Sequence, residues 1–271
     1  GLTRSSNKFK NKGEFDQNAH PFTQLSYVDK GAGNGLVPTS KADHGFLQDP
    51  GALDIAALQW MYGINPTTAS GDDIYRLPLS NQEGIGWRVI WDTGGTDRIT
   101  ASHSSDPVTI DLRNATLGSD PQAGGYESRV HGMTGGFMIA HDWDGLVLGQ
   151  PAGLCVIEEA IGGKGDDRLI GNAGSNVLKG RRGADLIYAA TGSANVVVGG
   201  KGRDQFLVDT NPGAYVKIKD FKRSKDQLVF DGTERAVSFQ SSKKNTDVFS
   251  DGVVVATLMG VQDFDPGRQA V

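Results

Sequence analysis

Apolar residues first become periodic at Leu53-Asp54-Ile55-Ala56-Ala57-Leu58-Gln59-Trp60-Met61-Tyr62, where positions 53, 57, 58, 61 and 62 keep the spacing of one helical face. This predicts a helix near residues 52–62 with that stripe turned to the core and Gly63 as its stop. Residues 1–50 are polar and loop-like, broken only at Phe22 and at Leu25-Ser26-Tyr27-Val28. After Gly63 the texture changes. Short apolar runs (Ile74-Tyr75, Trp87 to Trp91, Val108 to Leu112, Phe137 to Ala140, Leu146 to Leu148) alternate with glycine and aspartate, as short strands joined by turns do. The longest clean apolar run, Val253 to Met259, has seven residues, far short of the roughly 20 that cross a bilayer as a helix, so no membrane span is expected.

Between residues 162 and 207 the pattern repeats in nines. Turn one is Gly162-Gly163-Lys164-Gly165-Asp166-Asp167, followed by Arg168-Leu169-Ile170; turn two begins at Gly171 and turn three at Gly180. A looser ten-residue unit, Ala189 to Val198, precedes turn five, Gly199-Gly200-Lys201-Gly202-Arg203-Asp204, followed by Gln205-Phe206-Leu207. Six residues make a tight turn whose glycines point carbonyls inward, and three make a strand whose one apolar side chain fills the core. Turns one and five match the glycine-rich calcium-binding nonapeptide in full. Calcium takes six to eight oxygens, which carbonyls plus one aspartate per turn supply. The candidate ligands are Asp167, Asp185 and Asp204 with the carbonyls of Gly163, Gly165, Gly183, Gly200 and Gly202. Successive turns alternate between two edges of a parallel β-roll, so ions are expected between turns one and three and between three and five. The other edge carries Asn176 and Asn195 and is expected to hold little or no metal. The same turns can also fold as a solenoid without metal.

Glycine supplies 38 of 271 residues, about twice the usual share, yet follows no every-third-residue rule that would make collagen. Charge is balanced, 27 basic against 32 acidic side chains for a net of −5, so no nucleic-acid partner is expected. Locally the sign reverses: residues 162–204 hold seven basic and four acidic side chains, which should weaken calcium affinity. The single cysteine, Cys155, excludes a disulfide framework and suits a chain exported unfolded. The start at Gly1 without an initiator Met suggests a processed chain or fragment.

The nonapeptides, the helix and the segments Gly71-Asp72-Asp73-Ile74-Tyr75, Trp91-Asp92-Thr93-Gly94-Gly95-Thr96-Asp97 and Val156-Ile157-Glu158-Glu159-Ala160-Ile161-Gly162-Gly163 together resemble the C-terminal half of serralysins. These are secreted bacterial zinc metallopeptidases with a repeats-in-toxin calcium domain. The resemblance implies a mainly β chain, with a parallel β-roll joined to a β-sandwich. Residues 1–50 would be a remnant of the catalytic domain or an irregular segment, 51–63 a connecting helix, and 64–271 the calcium-binding domain. It implies one calcium held by Asp92, Gly94 and Asp97 with carbonyls of Ala69, Gly71 and Asp73, and another held by Gly95, Asp97, Val156 and Glu158. Glycine and aspartate in the first of these stretches also suit a plain hairpin turn. Asp220 and Asp226 match the family's closing stretch, where both can contact calcium; aspartates are also common at strand ends.

Phe22 to Tyr27 resembles the turn beneath the family's zinc, with Leu25 in place of its methionine and Tyr27 on its zinc-proximal tyrosine. No His-Glu-x-x-His is present, and none of the five histidines (20, 44, 103, 131, 141) supplies the i, i+4 pair that zinc chemistry needs. Neither catalytic residues nor zinc is therefore expected in this chain. The leading reading is a non-catalytic domain that folds on calcium after type I secretion, with an absent catalytic domain or chain as partner. The rivals are an enzyme of unrecognised chemistry and a stand-alone extracellular binding or adhesion module using Trp87, Trp91 or Trp143. The segment 113–150 reads as an insertion without an assigned role.

Overall fold

The computed structural model describes residues 44–118, 124–142, 155–192, 194–211, 213–231, 235–262, 264 and 266–269. Their contacts divide into two compact units, one comprising the stretch to Asp73 with Leu77–Thr96 and Arg113–Val156, the other Ile74–Arg76, Asp97–Leu112 and Ile157–Val271. The expectations placed on Phe22, Leu25, Tyr27, His20, Trp143 and Leu146 to Leu148 lie outside the described residues.

In the first unit, α1 (Ala52–Tyr62) starts where the backbone N–H of Gly51 donates to the Asp54 carboxylate at 2.9 Å, and it ends at Gly63 with φ +87. Its existence follows the apolar spacing, but the expected stripe does not face inward. Ala52, Ala56 and Gln59 are buried instead, while Leu58, Trp60, Met61 and Tyr62 are exposed. The buried face consists of Ala52, Asp54, Ala56 and Gln59, small or polar side chains that carry little hydrophobic signal in a sequence. With strand numbers running along the chain, β2 (Trp87–Ile90) and β6 (Gly136–Ile139) pair in parallel, Trp87 opposite Gly136. Leu47, Ala52, Trp87, Val89, Ala115, Met138 and Ala140 form the core of this unit. Part of the 113–150 segment is thus structural: it supplies β6 and the short β5 (Arg129–Val130).

The second unit is a roll of two parallel strand ladders. One runs β4 (Val108–Asp111), β8 (Arg168–Ile170), β10 (Leu186–Tyr188), β12 (Gln205–Asp209) and β14 (Gln227–Asp231). The other runs β1 (Ile74–Arg76), β3 (Arg98–Thr100), β7 (Glu159–Ile161), β9 (Val177–Arg182), β11 (Asn195–Lys201), β13 (Val216–Ile218) and β17 (Val253–Met259). Chain order therefore alternates between ladders, and turns one, three and five do share an edge.

The register stacks like on like. Ile110, Leu169, Ile187, Phe206 and Leu228 form one inward column, all within 1 % of full burial. Ile99, Ala160, Leu178, Val197, Ile218 and Leu258 form the other. A three-residue strand offers one inward side chain, so each repeat adds one rung per column, about 4.8 Å from the next. At the far end β15 (Val237–Ser241), β16 (Asn245–Ser250) and β17 pair antiparallel. Asp251 and Gly252, at φ +48 and +81, make the two-residue turn between the last two. Beyond it α2 (Pro266–Gln269) is a single helical turn.

Ile187 is 1 % exposed and pairs with Leu169 on one side and Phe206 on the other. Ile187→Ala should cost about 2–5 kcal/mol of unfolding free energy in urea titration, whereas Arg203→Ala on the exposed turn should stay within about 0.5.

Candidate metal centre

On the edge formed by the odd turns the aspartates make a ladder of their own. The N–H groups of Val108, Asp167, Asp185 and Asp204 donate to Oδ1 of Asp167, Asp185, Asp204 and Asp226, at 2.9, 2.9, 3.2 and 3.1 Å. One oxygen of each carboxylate thus ties its rung to the next. At the two ends the second oxygen is also satisfied, since Gly163 N–H donates to Asp167 Oδ2 at 2.6 Å and Lys222 N–H to Asp226 Oδ2 at 2.8 Å. In the middle it is not. Oδ2 of Asp185 and of Asp204 are buried without a hydrogen-bond partner.

Glycine makes this arrangement possible. A Cβ at Gly180 or Gly199 would fall against those same two Oδ2 atoms, and a Cβ at Gly183 or Gly202 would strike the carbonyl oxygen of the preceding rung, Gly165 or Gly183. The turns are stacked as closely as backbone allows, with the orphaned oxygens in the space a side chain would fill. A buried carboxylate oxygen with no donor costs about 1–3 kcal/mol or more. Burial accordingly pushes the Asp185 carboxyl up to about 8, helped by the Asp167, Asp204 and Asp166 charges. It pushes Asp167 up to about 6 and raises Asp204 and Asp226 as well. A hard divalent cation supplies what these groups lack. The donor set at Asp185 and Asp204, carboxylate oxygens on turns rich in backbone carbonyls, fits calcium.

The far end of this edge is already closed. Asp220 accepts N–H groups of Gly199 and Gly200 at 2.9 and 2.8 Å, and the Lys222 ammonium donates to the Gly200 carbonyl and lies 3.9 Å from Asp220. Asp220, Asp226 and Gly200, all expected ligands, are engaged with protein groups there.

The opposite edge is built differently. Asn176 accepts the Asn172 N–H at 3.3 Å, and its amide Nδ2 lies 2.8 Å from the Gly174 carbonyl and 3.1 Å from that of Asn172. Asn195 receives the Asn176 N–H at 2.9 Å and donates to the Gly192 carbonyl at 2.6 Å. Asn172, which the sequence reading passed over, donates to the carbonyls of Ile157 and Leu112 at 2.8 and 3.3 Å. The signal available was its place, the second of its turn, where turn one has Gly163. Amide N–H groups here take carbonyls that a metal would otherwise need to satisfy.

The remaining expected ligands fall as follows. In the first unit Asp73 and Asp92 bring carboxylate oxygens within 4.8 Å of one another. Gly94 N–H donates to Asp92 Oδ1 at 3.1 Å, and Gly95, at φ +125, packs on the Gly71 carbonyl where a Cβ would clash. Ala69 takes φ +48 beside Thr68, whose carbonyl receives the Thr93 N–H and hydroxyl; Val156 is half-buried. In the second unit Asp97 is buried, and its N–H donates to Glu158 Oε2 at 2.8 Å. His44 and His141 bond to the Thr134 hydroxyl and the Ala115 carbonyl at 2.7 and 2.8 Å. Trp87 is core at 1 % exposure, and the Trp91 indole donates to the Asn65 carbonyl at 3.1 Å, so neither is a bare platform for sugars.

Because the folded pKa values lie above the unfolded ones, these aspartates favour the metal-free fold only while protonated. That contribution is complete below about pH 4 and is lost as pH climbs through about 6 for Asp167 and about 8 for Asp185. In excess chelator the melting temperature should therefore fall from pH 5 to pH 8. Asp185→Asn should raise metal-free stability at pH 8 by about 1–3 kcal/mol, because an amide can donate where the carboxylate could not. Asn176→Asp should lower it. A chelated Asp185→Asn chain that melts below the parent would contradict the account of the orphaned oxygens.

The family described as Peptidase M10 serralysin C terminal matches residues 52–251. Serralysin of Proteus mirabilis is 29 % identical over 178 residues, 62 % of this chain and 30 % of that protein. Serralysin B of Dickeya chrysanthemi is 31 % identical over 173 residues, 60 % of this chain and 30 % of its own length. Metalloprotease AprA of Pseudomonas entomophila is 36 % identical over 136 residues, 46 % of this chain and 23 % of its own. The chain thus spans less than a third of these relatives. A solved structure, the extracellular lipase LipA from Serratia marcescens, aligns over 74 % of this chain and 37 % of that one with 16 % identity and a TM-score of 0.29, too loose a superposition to argue from. On the family match, which covers most of its length, this chain belongs to the serralysin C-terminal family of M10 peptidases.

Proposed function

We propose that this chain is the calcium-dependent, non-catalytic C-terminal part of a secreted metallopeptidase, closing its roll when calcium reaches the aspartate edge outside the cell. The observation that carries the reading is the pair of buried, unpartnered oxygens on Asp185 and Asp204. Calcium bound there would neutralise carboxylates that otherwise repel one another along the ladder. The metal-free roll is held back by that repulsion, so export through a type I channel would precede folding, and binding energy would serve as folding energy. Turns one, three and five would share two ions, with Asp185 contributing to both. Asp73, Asp92, Asp97 and Glu158 would belong to further sites outside the repeats, and the catalytic zinc to a partner domain. The exposed face of α1, with Leu58, Trp60, Met61 and Tyr62, is the surface such a domain would cover.

Equilibrium dialysis against calcium should give on the order of three to six ions per chain. Excess chelator should lower the melting temperature and loosen the roll by circular dichroism; unchanged spectra and melting would overturn the reading. The chain alone should show no casein hydrolysis, and stoichiometric zinc with chelator-sensitive proteolysis would refute its non-catalytic role.

A further inference from the structure

The aspartate edge carries a second feature that calcium does not explain. A cavity of about 380 Å³ opens over it, lined by Gly163, Lys164, Arg181, Arg182 and Lys201. It would hold about a dozen waters. Of its five described lining residues four are cations, all exposed, and among the described residues no carboxylate lines it. Strand register explains the alignment. Arg182 is the partner of Lys201, and Lys164 stands four residues before Arg168 just as Arg182 stands four before Leu186, with which Arg168 pairs. The third position of each odd turn is therefore basic, and the roll brings these positions together at strand spacing of about 4.8 Å.

Arg181 is a separate observation. It sits at φ +83, where its strand partner Gly200 has φ +107. An arginine in the left-handed region is strained where glycine would not be. Its guanidinium donates to the Ser102 carbonyl, and its fork carries further N–H donors. The carboxylates of this edge offset the row only in part: the Arg181 charge acts on Asp167, while four cations share the cavity. Asp167 and Asp185 are buried beneath it, and Asp166 accepts the Ala184 N–H at 2.6 Å. A row of like charges at this spacing is self-repelling, and an anion relieves it.

We propose that this cationic cavity binds the oxyanion groups (sulfate, phosphate or carboxylate) of an anionic polysaccharide. The repeated rungs fit successive groups on one chain. Among the described residues no aromatic ring lines the cavity to stack a base, which disfavours single-stranded nucleic acid. Calcium and polyanion should also strengthen one another's binding, since neutralised aspartates leave the cations a stronger field. That coupling rests on the calcium reading; the anion site itself does not.

The test is titration of the full chain with dextran sulfate, with uncharged dextran, sodium sulfate and a single-stranded oligonucleotide as comparisons, in calcium and in chelator. Dextran sulfate should bind, weaken steeply with added sodium chloride, and be displaced by sodium sulfate at higher concentration. Lys201→Gln with Arg182→Gln should weaken it at least tenfold while the melting temperature holds. Arg181→Gly should weaken it too, yet raise the melting temperature by relieving the backbone. Binding equal to that of uncharged dextran, or unchanged in these variants, overturns the site. Equal affinity per sulfate for the free ion, or tighter binding of the oligonucleotide, overturns the polysaccharide. Loss of calcium enhancement with binding intact refutes only the coupling.

Discussion

Most of what distinguishes this roll follows from burying carboxylates in a stack of turns only one strand spacing apart. The backbone offers each aspartate one N–H from the neighbouring rung, and that bond fixes the register. It leaves the second oxygen dependent on whatever else is within reach. At the ends of the ladder, N–H groups of Gly163 and Lys222 reach it. At Asp185 and Asp204 nothing among the described residues does. The glycines follow from the same constraint, because a Cβ at Gly180 or Gly199 would occupy the place of those oxygens.

The two edges are alternative solutions to one problem. Stacked turns leave carbonyls directed inward, and these need donors or a cation. Asn176 and Asn195 meet the need with amide hydrogens. The aspartates share the shape of the asparagines but bring more acceptors to a site already rich in them. Replacing NH2 by oxygen thus changes an edge from self-sufficient to one that leaves carboxylate oxygens without a donor, with hardly any change in shape. The lysine ammonium at the Gly200 carbonyl is a third solution, a tethered cation.

Much of this architecture was legible in the sequence because the repeat is local. Nine-residue spacing fixes which turns share an edge, and one apolar residue per strand fixes the inward columns through Leu169, Ile187 and Phe206. The helix was legible as a helix but not by its face: Ala52 packs with Trp87 and Met138, remote in sequence, and Ala56 and Gln59 are buried while Leu58 and Met61 are exposed. Pairing of β2 with β6 joins segments some fifty residues apart and leaves no periodic trace. At the metal centre the neutral character of the asparagine edge could be read. Its hydrogen bonds could not, because they depend on where the carbonyls of Gly174 and Gly192 point once the turns are stacked. The strain at Arg181 was likewise invisible, since φ is a property of the fold.

The asparagine edge bears on how sharply the molecule answers its environment. Under the calcium reading, the steepness of folding against calcium concentration is set by how many ions are taken up as the chain folds. A roll with aspartates on both sides would respond over a narrow interval and lose all its order when the ion is withdrawn. Here one side has amide hydrogen bonds in place of carboxylates, so the response would be spread over a broader interval. When calcium is withdrawn from the folded molecule, those bonds would release last and hold the register for the aspartate side to re-form.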